Sequence, residues 1–261
     1  FGESELAVVI APTGAGKSMA LVHIGATAVK EGKTVVYYTL ELAEAVVGQR
    51  FDSCITDIKL NDLLKNKYNV VEALKEIKGH LIIKEYPSKS ASTQTIRSHI
   101  ERLKKRGINP DMIIVDYGDL LKPVRSQGEK RHELEGIYEE LRGIAQHEKC
   151  TVITASQTNR SGLGAEVITM ESISEAFSKC FVADFIFSLS RTPQDKQANT
   201  GRVFIAKNRN GPDGIVFPIF ADWSNVSMKV LDRNEEQETP AQSSKDNIEY
   251  LRNKYAQARA K

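Results

Sequence analysis

Short apolar segments alternate with amphipathic segments along the first two thirds of the chain. Continuous apolar runs are typical of buried parallel strands, and apolar positions spaced at helical intervals predict amphipathic helices. The alternation predicts an α/β domain with a mainly parallel, twisted sheet flanked by helices. The predicted strands are Leu6–Ala11, Thr34–Leu40, Leu81–Tyr86, Met112–Asp116 and Thr151–Ser156, and the predicted helices are Gly16–Lys30, Glu44–Ile55, Val70–Lys78, Ser92–Arg106 and Glu129–Lys149.

The last third of the chain is dominated by strand-like segments. A helix is predicted over Ile173–Lys179, followed by strands over Phe185–Ser190, Val203–Lys207 and Ile215–Phe220. The stretch Asn210–Gly214, rich in turn residues, separates the last two strands, which is the pattern of a hairpin. The sequence therefore predicts a C-terminal antiparallel extension of the parallel sheet.

Composition predicts one folded domain over residues 1–232. The chain then becomes polar, which predicts a linker over 233–244. Helical spacing of apolar residues returns over 245–261 and predicts a C-terminal amphipathic helix. Because the first strand begins so early, we also expect that the chain was cut from a longer one or lacks an accessory N-terminal domain.

Charge and cysteine content limit the function classes. The 261 residues carry a formal net charge of only +2, which excludes binding of nucleic acid by bulk positive charge. Cys150 and Cys180 border apolar runs, which predicts buried thiols in a reducing compartment. No apolar stretch reaches the roughly 20 residues of a membrane span, and the N-terminus lacks a signal-peptide pattern. These features predict a soluble, cytoplasmic protein without a membrane partner.

The segment Ala11–Ser18 (APTGAGKS) fits the phosphate-binding P-loop pattern, with Ala at the first glycine position. It follows a predicted strand and opens a predicted helix, which is the context that this motif requires. Glycines let backbone N–H groups turn inward around a phosphate at a helix N-terminus. Lys17 is predicted to reach the β- and γ-phosphates, and Ser18 to coordinate Mg²⁺. The predicted phosphate-binding residues are Thr13, Gly14, Ala15, Gly16, Lys17 and Ser18.

Three further strand ends carry polar side chains on the same predicted edge. Asp116 ends an apolar strand and is predicted to hold Mg²⁺ through water. Glu41 follows the second strand and is predicted to be the general base for the attacking water, the alternative being an acid that complements a helix dipole. Gln157 follows the Thr151–Ser156 strand and is predicted to sense the γ-phosphate, the alternative being an ordinary cap.

These blocks, in this order, resemble the motor domain of DnaB-like replicative helicases, especially the phage members of that family. The resemblance covers roughly Glu5 to Val230, and its last block is the most specific. The matching blocks are AxxxxGKS (Ala11–Ser18), TLEL (Thr39–Leu42), IIVDY (Ile113–Tyr117), SQTNR (Ser156–Arg160) and KNRNGPDG (Lys207–Gly214).

The resemblance implies a RecA-like fold and a hexameric ring around one DNA strand, with ATP and Mg²⁺ between subunits. It implies that Lys207 and Arg209 contact the γ-phosphate of the neighbouring subunit, where such an arginine is worth roughly a thousandfold in rate. The alternative is an exposed basic hairpin. A primase or a helicase loader is the further partner that the family implies, in the host-cell cytoplasm if a phage encodes the protein.

The family also implies two DNA-contacting loops that face the central channel. The first follows the Asp116 strand, and the second is Glu171–Lys179. In the second loop this chain reads Ser174–Phe177 where bacterial members often carry Arg-Glu-Ser-Gly, although backbone N–H contacts to phosphates need no particular side chain. The side chains predicted to contact DNA are Lys122, Arg125 and Lys130 in the first loop and Glu175 and Lys179 in the second.

Two other functions share the P-loop core. One is a RecA- or KaiC-like ATPase, acting as a recombinase filament or a signalling ring. The other is a nucleotide-switched binding module that needs no arginine from a neighbour. Lys17, Glu41 and Asp116 do not discriminate among these, whereas the late hairpin and the SQTNR block favour the helicase.

Overall fold

The computed structural model describes residues 2–125, 128–158 and 180–231. The predicted helix Ile173–Lys179, the linker 233–244 and the C-terminal helix 245–261 lie outside the described residues. Within the described residues, no helix is long and apolar enough to span a bilayer.

One sheet organises the described part of the chain. Its strands are β1 (Leu6–Ala11), β2 (Thr34–Thr39), β3 (His80–Glu85), β4 (Met112–Asp116), β5 (Thr151–Gln157), β6 (Phe185–Ser190), β7 (Thr200–Asn208), β8 (Ile215–Asp222) and β9 (Ser227–Val230). The helices are α1 (Lys17–Lys30), α2 (Glu44–Thr56), α3 (Lys67–Lys75), α4 (Thr93–Lys104), α5 (Lys130–Glu148) and α6 (Pro193–Ala198).

The sheet has the order β3-β2-β4-β5-β1-β6-β7-β8-β9. The strands from β3 to β6 in this order pair in parallel, and β7, β8 and β9 continue the sheet antiparallel. The predicted fold class, a mainly parallel α/β sheet with a C-terminal antiparallel extension, is confirmed. The carboxyl ends of the parallel strands meet at one edge of the sheet, which we call the upper edge. Their amino ends form the lower edge.

Both faces of the parallel sheet are buried, as the continuous apolar runs predict. Strand β1 shows the period of two: Leu6, Val8 and Ile10 belong to the core under α4 and α5, and the residues between them belong to the core under α1 and α2. All three cysteines are buried, free thiols.

Local signals explain the ends of α4. Ser92 accepts a hydrogen bond from the Thr95 N–H, and the Thr95 hydroxyl accepts one from the Ser92 N–H, which together form a capping box. Gly107, with a φ of 79°, lies just beyond the other end and supplies the left-handed conformation that commonly stops a helix.

The structure differs from the sequence prediction at three elements. The helix predicted over Val70–Lys78 is α3, which begins and ends three residues earlier. The chain must turn before Gly79, because a Cβ there would lie 2.2 Å from the Val29 carbonyl oxygen. The short elements α6 and β9 were not predicted. The first is a six-residue helix held by a Thr192–Asp195 capping box, and the second is a four-residue edge strand.

Helix α1 packs closely on the sheet at Gly25. A Cβ at Gly25 would lie 2.7 Å from Ile114 Cδ1 and 3.0 Å from Phe51 Cζ, and both of these side chains are buried. Phe51 in turn packs edge-to-face against Tyr37 with ring centroids 5.6 Å apart. Packing at Gly25 therefore influences where the Tyr37 ring lies on β2.

We predict opposite effects for two glycine-to-alanine substitutions inside helices. Gly25→Ala should lower the free energy of unfolding by about 1–3 kcal/mol through overpacking. Gly48→Ala in α2 should raise it by up to about 1 kcal/mol through helix propensity, because the nearest atom to a Cβ there is Ile83 Cδ1 at 3.8 Å. Urea unfolding of both variants measures the difference. Equal effects would show that the packing at Gly25 relaxes without cost.

Candidate active site

Four strand ends come together at the upper edge of the sheet. Ala11 of β1 pairs with Gln157 of β5 in the parallel register, and Thr39 of β2 pairs with Asp116 of β4. The P-loop follows Ala11 directly, and Glu41 lies two residues beyond Thr39. The sheet register therefore brings the predicted phosphate-binding, metal-binding and catalytic residues to one edge.

The P-loop has the backbone that phosphate binding requires. Gly14 and Gly16 have φ values of 76° and 105°, which side chains other than glycine rarely adopt. Helix α1 begins at Lys17 immediately after Gly16. Its first N–H groups and the positive end of its dipole therefore face the loop, forming a ready site for an anion.

Lys17 folds back over the loop. Its Nζ donates hydrogen bonds to the carbonyl oxygens of Ala11 at 3.2 Å and Pro12 at 3.3 Å. Burial lowers the pKa of Lys17, and the negative charges of Glu41 and Asp116 act in the opposite direction. The ammonium thus lies close to both predicted acidic residues.

Asp116 is completely buried at the end of β4. Its Oδ2 accepts a hydrogen bond from the Tyr37 hydroxyl at 2.8 Å, whereas Oδ1 has no hydrogen-bond partner within the part of the chain that the structure describes. Burial raises the pKa of Asp116, and the Tyr37 and Ser18 hydroxyls oppose this shift. An unpaired carboxylate oxygen beside the Ser18 hydroxyl fits a hard divalent cation.

The donor set suits Mg²⁺ in particular. The described residues contain no group of three or more His, Cys, Asp or Glu side chains that could hold a metal ion. Mg²⁺ is usually bound by one or two protein oxygens together with water and substrate phosphates. Asp116 and Ser18 supply such a pair next to the P-loop.

Glu41 is exposed at the same edge. The chain that carries it is tied to β4, because the Leu40 N–H donates to the Asp116 carbonyl oxygen at 2.9 Å. The charge of Glu41 contributes to the pKa shifts of Lys17, Asp116 and Tyr117. An accessible carboxylate in this position can accept a proton from a water beside a bound phosphate.

Gln157 links two parts of the site. Its Nε2 donates to the Thr13 hydroxyl at 2.7 Å, and its Oε1 accepts from the Tyr117 hydroxyl at 3.5 Å. The amide therefore joins the P-loop to the segment that follows β4. A ligand that displaces the Thr13 contact would change what Gln157 can offer to Tyr117.

The antiparallel extension contributes residues that the sequence analysis did not identify. The Trp223 ring lies against the P-loop, and a Cβ at Gly16 would lie 2.5 Å from its Nε1. The Arg191 guanidinium lies 5.3 Å from the centre of the Trp223 ring. The Lys196 ammonium lies 3.7 Å from where a Cβ on Gly14 would be. No motif announces these residues, because they reach the P-loop only through the order of strands in the sheet.

Two side chains near Asp116 were also not identified from sequence. Tyr37 lies within an apolar strand, where its hydroxyl gives no signal. Arg50 lies on α2, and its positive charge acts on both Tyr37 and Asp116. Helix α2 packs against α1 and β3, and this packing brings a second cation towards the buried carboxylate.

Lys207 and Arg209 lie at the opposite edge of the sheet. Lys207 is near the end of β7 and Arg209 follows it, and β7 runs antiparallel to β6. Arg209 Nη1 forms an ion pair with Asp184 Oδ1 at 2.9 Å. Lys207 Nζ donates to the Phe181 carbonyl oxygen at 2.5 Å and lies 4.4 Å from the centre of the Phe181 ring. Neither cation reaches the P-loop of its own chain.

The predicted DNA-contacting side chains fall in two groups. Lys122, Arg125 and Lys130 are exposed in and just after the segment that follows β4. The start of this segment is held in place, because Lys89 Nζ donates to the carbonyl oxygens of Asp119 and Leu121 at 2.7 and 2.9 Å. The second group, Glu175 and Lys179, lies outside the described residues.

Comparison with known proteins places this geometry in context. Residues 1–225 match the family described as DnaB-like helicase C terminal domain. The DnaB-like replicative helicase of Enterobacteria phage T4 is 29% identical over 218 residues, which cover 79% of this chain and 46% of that protein. The replicative DNA helicase DnaB of Geobacillus stearothermophilus is 27% identical over 255 residues, which cover 92% of this chain and 56% of that protein. The chain thus spans about half the length of these relatives.

Two solved structures share the fold. One is an isolated ATPase domain, which superimposes with a TM-score of 0.76 at 17% identity, over 89% of this chain and 86% of that one. The other is a DnaB-like replicative helicase, described together with its interactions with primase. It superimposes with a TM-score of 0.77 at 17% identity, over 89% of this chain and 58% of that one. The RecA-like fold expected from the sequence is confirmed.

We predict that Asp116→Asn stabilises the protein without nucleotide or metal, and increasingly so as pH rises. The raised pKa means that folding favours the protonated carboxyl. The stability that protonation contributes is complete below the ordinary value of 3.8 and is lost as pH rises through the folded-state pKa. An amide has no such loss, so the advantage of Asn should reach on the order of 1 kcal/mol near neutral pH.

Urea unfolding of Asp116→Asn and of the parent protein at about pH 4 and pH 7 measures this difference. Asp111→Asn serves as the control, because the Asp111 side chain is 46% exposed. A difference between Asp116→Asn and the parent that does not grow with pH would contradict the prediction.

Proposed function

Since this chain belongs to the family of DnaB-like helicase C-terminal domains, we propose that it is an ATP-driven motor that moves along single-stranded DNA as a hexameric ring. The observation that carries the proposal is the separation of functional groups between two edges of one sheet. The P-loop, Asp116 and Glu41 lie at the upper edge, whereas Lys207 and Arg209 lie at the lower edge. Such a subunit needs a neighbour to complete its site.

The P-loop would hold the phosphates of ATP. The N–H groups at the start of α1 and the Lys17 ammonium would bind the β- and γ-phosphate oxygens. Asp116 and Ser18 would hold Mg²⁺, which neutralises phosphate charge and bridges phosphate oxygens when it is bound. The Trp223 ring and the Arg191 guanidinium beside the loop supply a flat surface on which the base of the nucleotide can stack.

Glu41 is the residue that we assign to the attacking water. Its carboxylate is accessible and belongs to a segment hydrogen-bonded to β4, so it can orient the water and accept its proton. Gln157 would report the presence of the γ-phosphate to the segment after β4 through Tyr117. This segment carries Lys122 and Arg125, so the contact connects the nucleotide site with the proposed DNA-binding loop.

The register of the sheet supports a role for Arg209 in trans. Arg209 is paired with Asp184, and Asp184 Oδ2 accepts from the Leu6 N–H at the lower end of β1. The P-loop follows Ala11 at the upper end, which lies about 17 Å away along the strand. An arginine side chain does not span this distance, so Arg209 and Lys207 would act on the nucleotide of the next subunit.

DNA binding would depend on exposed loops, because the net charge of +2 provides little bulk attraction. Lys122, Arg125 and Lys130 would contact backbone phosphates, which makes binding sensitive to salt and tolerant of sequence. Glu175 and Lys179 are proposed for a second loop of the same kind. For the whole protein we propose a primase or a helicase loader as a partner, and the cytoplasm, or the host-cell cytoplasm for a phage protein, as the location.

Single-stranded DNA should stimulate ATP turnover by the assembled protein, and two substitutions should separate binding from chemistry. Lys17→Ala should abolish nucleotide binding, because Lys17 contacts ground-state phosphates. Glu41→Ala should leave binding intact and lower turnover about 10²- to 10⁴-fold, because Glu41 acts on the water. The chain has one tryptophan, so fluorescence of Trp223 can report binding while phosphate release reports turnover.

Glu44→Ala is the matched control for Glu41. Glu44 is an exposed acid in the first turn of α2, so its loss tests the helix-dipole alternative and should leave turnover normal. Normal hydrolysis by Glu41→Ala would refute the assignment of the base. Turnover that is insensitive to single-stranded DNA, in protein shown to assemble by light scattering, would count against the helicase motor.

Mixing of variants tests the role of Arg209 in trans. Arg209→Ala should bind ATP but release phosphate about a thousandfold more slowly. Addition of Lys17→Ala should restore part of the activity, because mixed rings contain interfaces with an intact P-loop from one subunit and an intact arginine from the next. Phosphate release is measured across mixing ratios at concentrations where assembly is confirmed.

Arg106→Ala is the control, because Arg106 is an exposed arginine just after α4, outside the proposed interface chemistry. It should have normal activity alone and need no complementation. Full activity of Arg209→Ala, or no rescue by Lys17→Ala in confirmed assemblies, would refute the trans role.

A further inference from the structure

The Arg209 side chain is held by a buried carboxylate. Arg209 Nη1 lies 2.9 Å from Asp184 Oδ1, and the Arg209 N–H donates to the Asp184 carbonyl oxygen at 3.0 Å. Asp184 is 4% exposed, whereas the Arg209 side chain is 47% exposed. One end of the guanidinium is therefore anchored in the protein and the rest faces outward.

Asp184 is itself fixed by two other contacts. Arg142 on α5 donates to it from Nε and Nη2 at 2.9 to 3.3 Å, and the Leu6 N–H donates to Oδ2 at 3.1 Å. Burial alone would raise the pKa of Asp184, but the hydrogen bonds from Arg142 and Leu6 hold it below its ordinary value. The carboxylate thus stays ionised near neutral pH and has a single orientation.

The charges of this cluster leave one positive charge unbalanced. Arg142 already satisfies the carboxylate with a two-point contact, and Arg209 adds a second cation with one nitrogen. An isolated Asp–Arg pair would be neutral, and a phosphate would have to break it. Here the group of two arginines and one aspartate keeps a net charge of +1, so Arg209 can bind an anion without leaving Asp184.

We propose that Asp184 is a positioning residue for Arg209: together with Arg142 it holds the guanidinium in the orientation in which it meets the γ-phosphate of the neighbouring subunit. This inference rests on the proposed trans role of Arg209. An anchored guanidinium loses less freedom when it binds, and misplacement of a catalytic group by about 1 Å can cost about 100-fold in rate. Asp184 is thus a functional residue at an interface whose nucleotide it does not touch.

Asp184→Asn tests the proposal, since the amide keeps the shape of the carboxyl but has no charge. We expect kcat to fall about 10- to 100-fold, with nucleotide affinity, measured by Trp223 fluorescence, unchanged. Asp111→Asn is the matched control, because Asp111 also lies at the lower edge, accepts a strand N–H from Thr34 and pairs with Lys33. That control should keep the parent kcat.

Mixing distinguishes positioning from a structural role. Asp184→Asn subunits have an intact P-loop, so Lys17→Ala subunits, which have an intact Arg209, should restore part of their activity. Arg209→Ala subunits should restore none, because neither partner then supplies a positioned arginine. If Asp184 only supported the fold, the defect would extend to the P-loop of the same subunit and Lys17→Ala would give no rescue, which would overturn the proposal.

A second variant decides the matter if Asp184→Asn does not fold. The Arg142 side chain lies near the surface, and its loss leaves Asp184 paired with Arg209 as a neutral group. Arg142→Ala should therefore lower kcat severalfold without changing nucleotide affinity, and an unchanged kcat would overturn the proposal. The two hypotheses fail separately: an active Arg209→Ala refutes the trans role itself, whereas an inactive Arg209→Ala beside a fully active Asp184→Asn refutes only the role of Asp184.

Discussion

The direction of the strands in one sheet determines where every functional group of this protein lies. Parallel pairing from β3 to β6 brings the ends of β1, β2, β4 and β5 to the upper edge, and with them the P-loop, Glu41, Asp116 and Gln157. The reversal between β6 and β7 then returns the chain to the lower edge, where Arg209 follows β7. Hydrogen bonding between two strands thus separates the phosphate-binding loop from the arginine that would act on a phosphate.

The upper edge shows why such a site costs stability. Asp116 is fully buried with Oδ1 unpaired among the described residues, and a buried unpaired carboxylate is unfavourable until a cation or a proton compensates it. Tyr37 offsets part of this cost through one hydrogen bond. Its ring packs on Phe51, and Phe51 lies close to Gly25. The metal-side carboxylate is therefore oriented by core packing that extends into α1.

The sequence was most informative where the chemistry is local. The P-loop could be located because its glycines, its lysine and the apolar run before it are contiguous, and Asp116 because an acid ends an apolar strand. Trp223 and Lys196 could not be predicted, since their contacts with the P-loop depend on how the antiparallel strands fold over β1. Asp184 gave no signal either, because an acid before a strand acquires its meaning only when α5 and β7 bring two arginines to it.

An incomplete site also explains how hydrolysis and assembly can depend on each other in the proposed ring. A subunit alone has the means to bind a nucleotide at its upper edge but holds its Arg209 against Asp184 at the lower edge. Contact between neighbours would place the γ-phosphate of one subunit beside the net positive charge of the Asp184 cluster of the next. The attraction is strongest while the γ-phosphate is attached and weakens once it leaves. Each hydrolysis event would thus loosen one interface selectively, which is the asymmetry that a ring needs in order to move in steps along a strand.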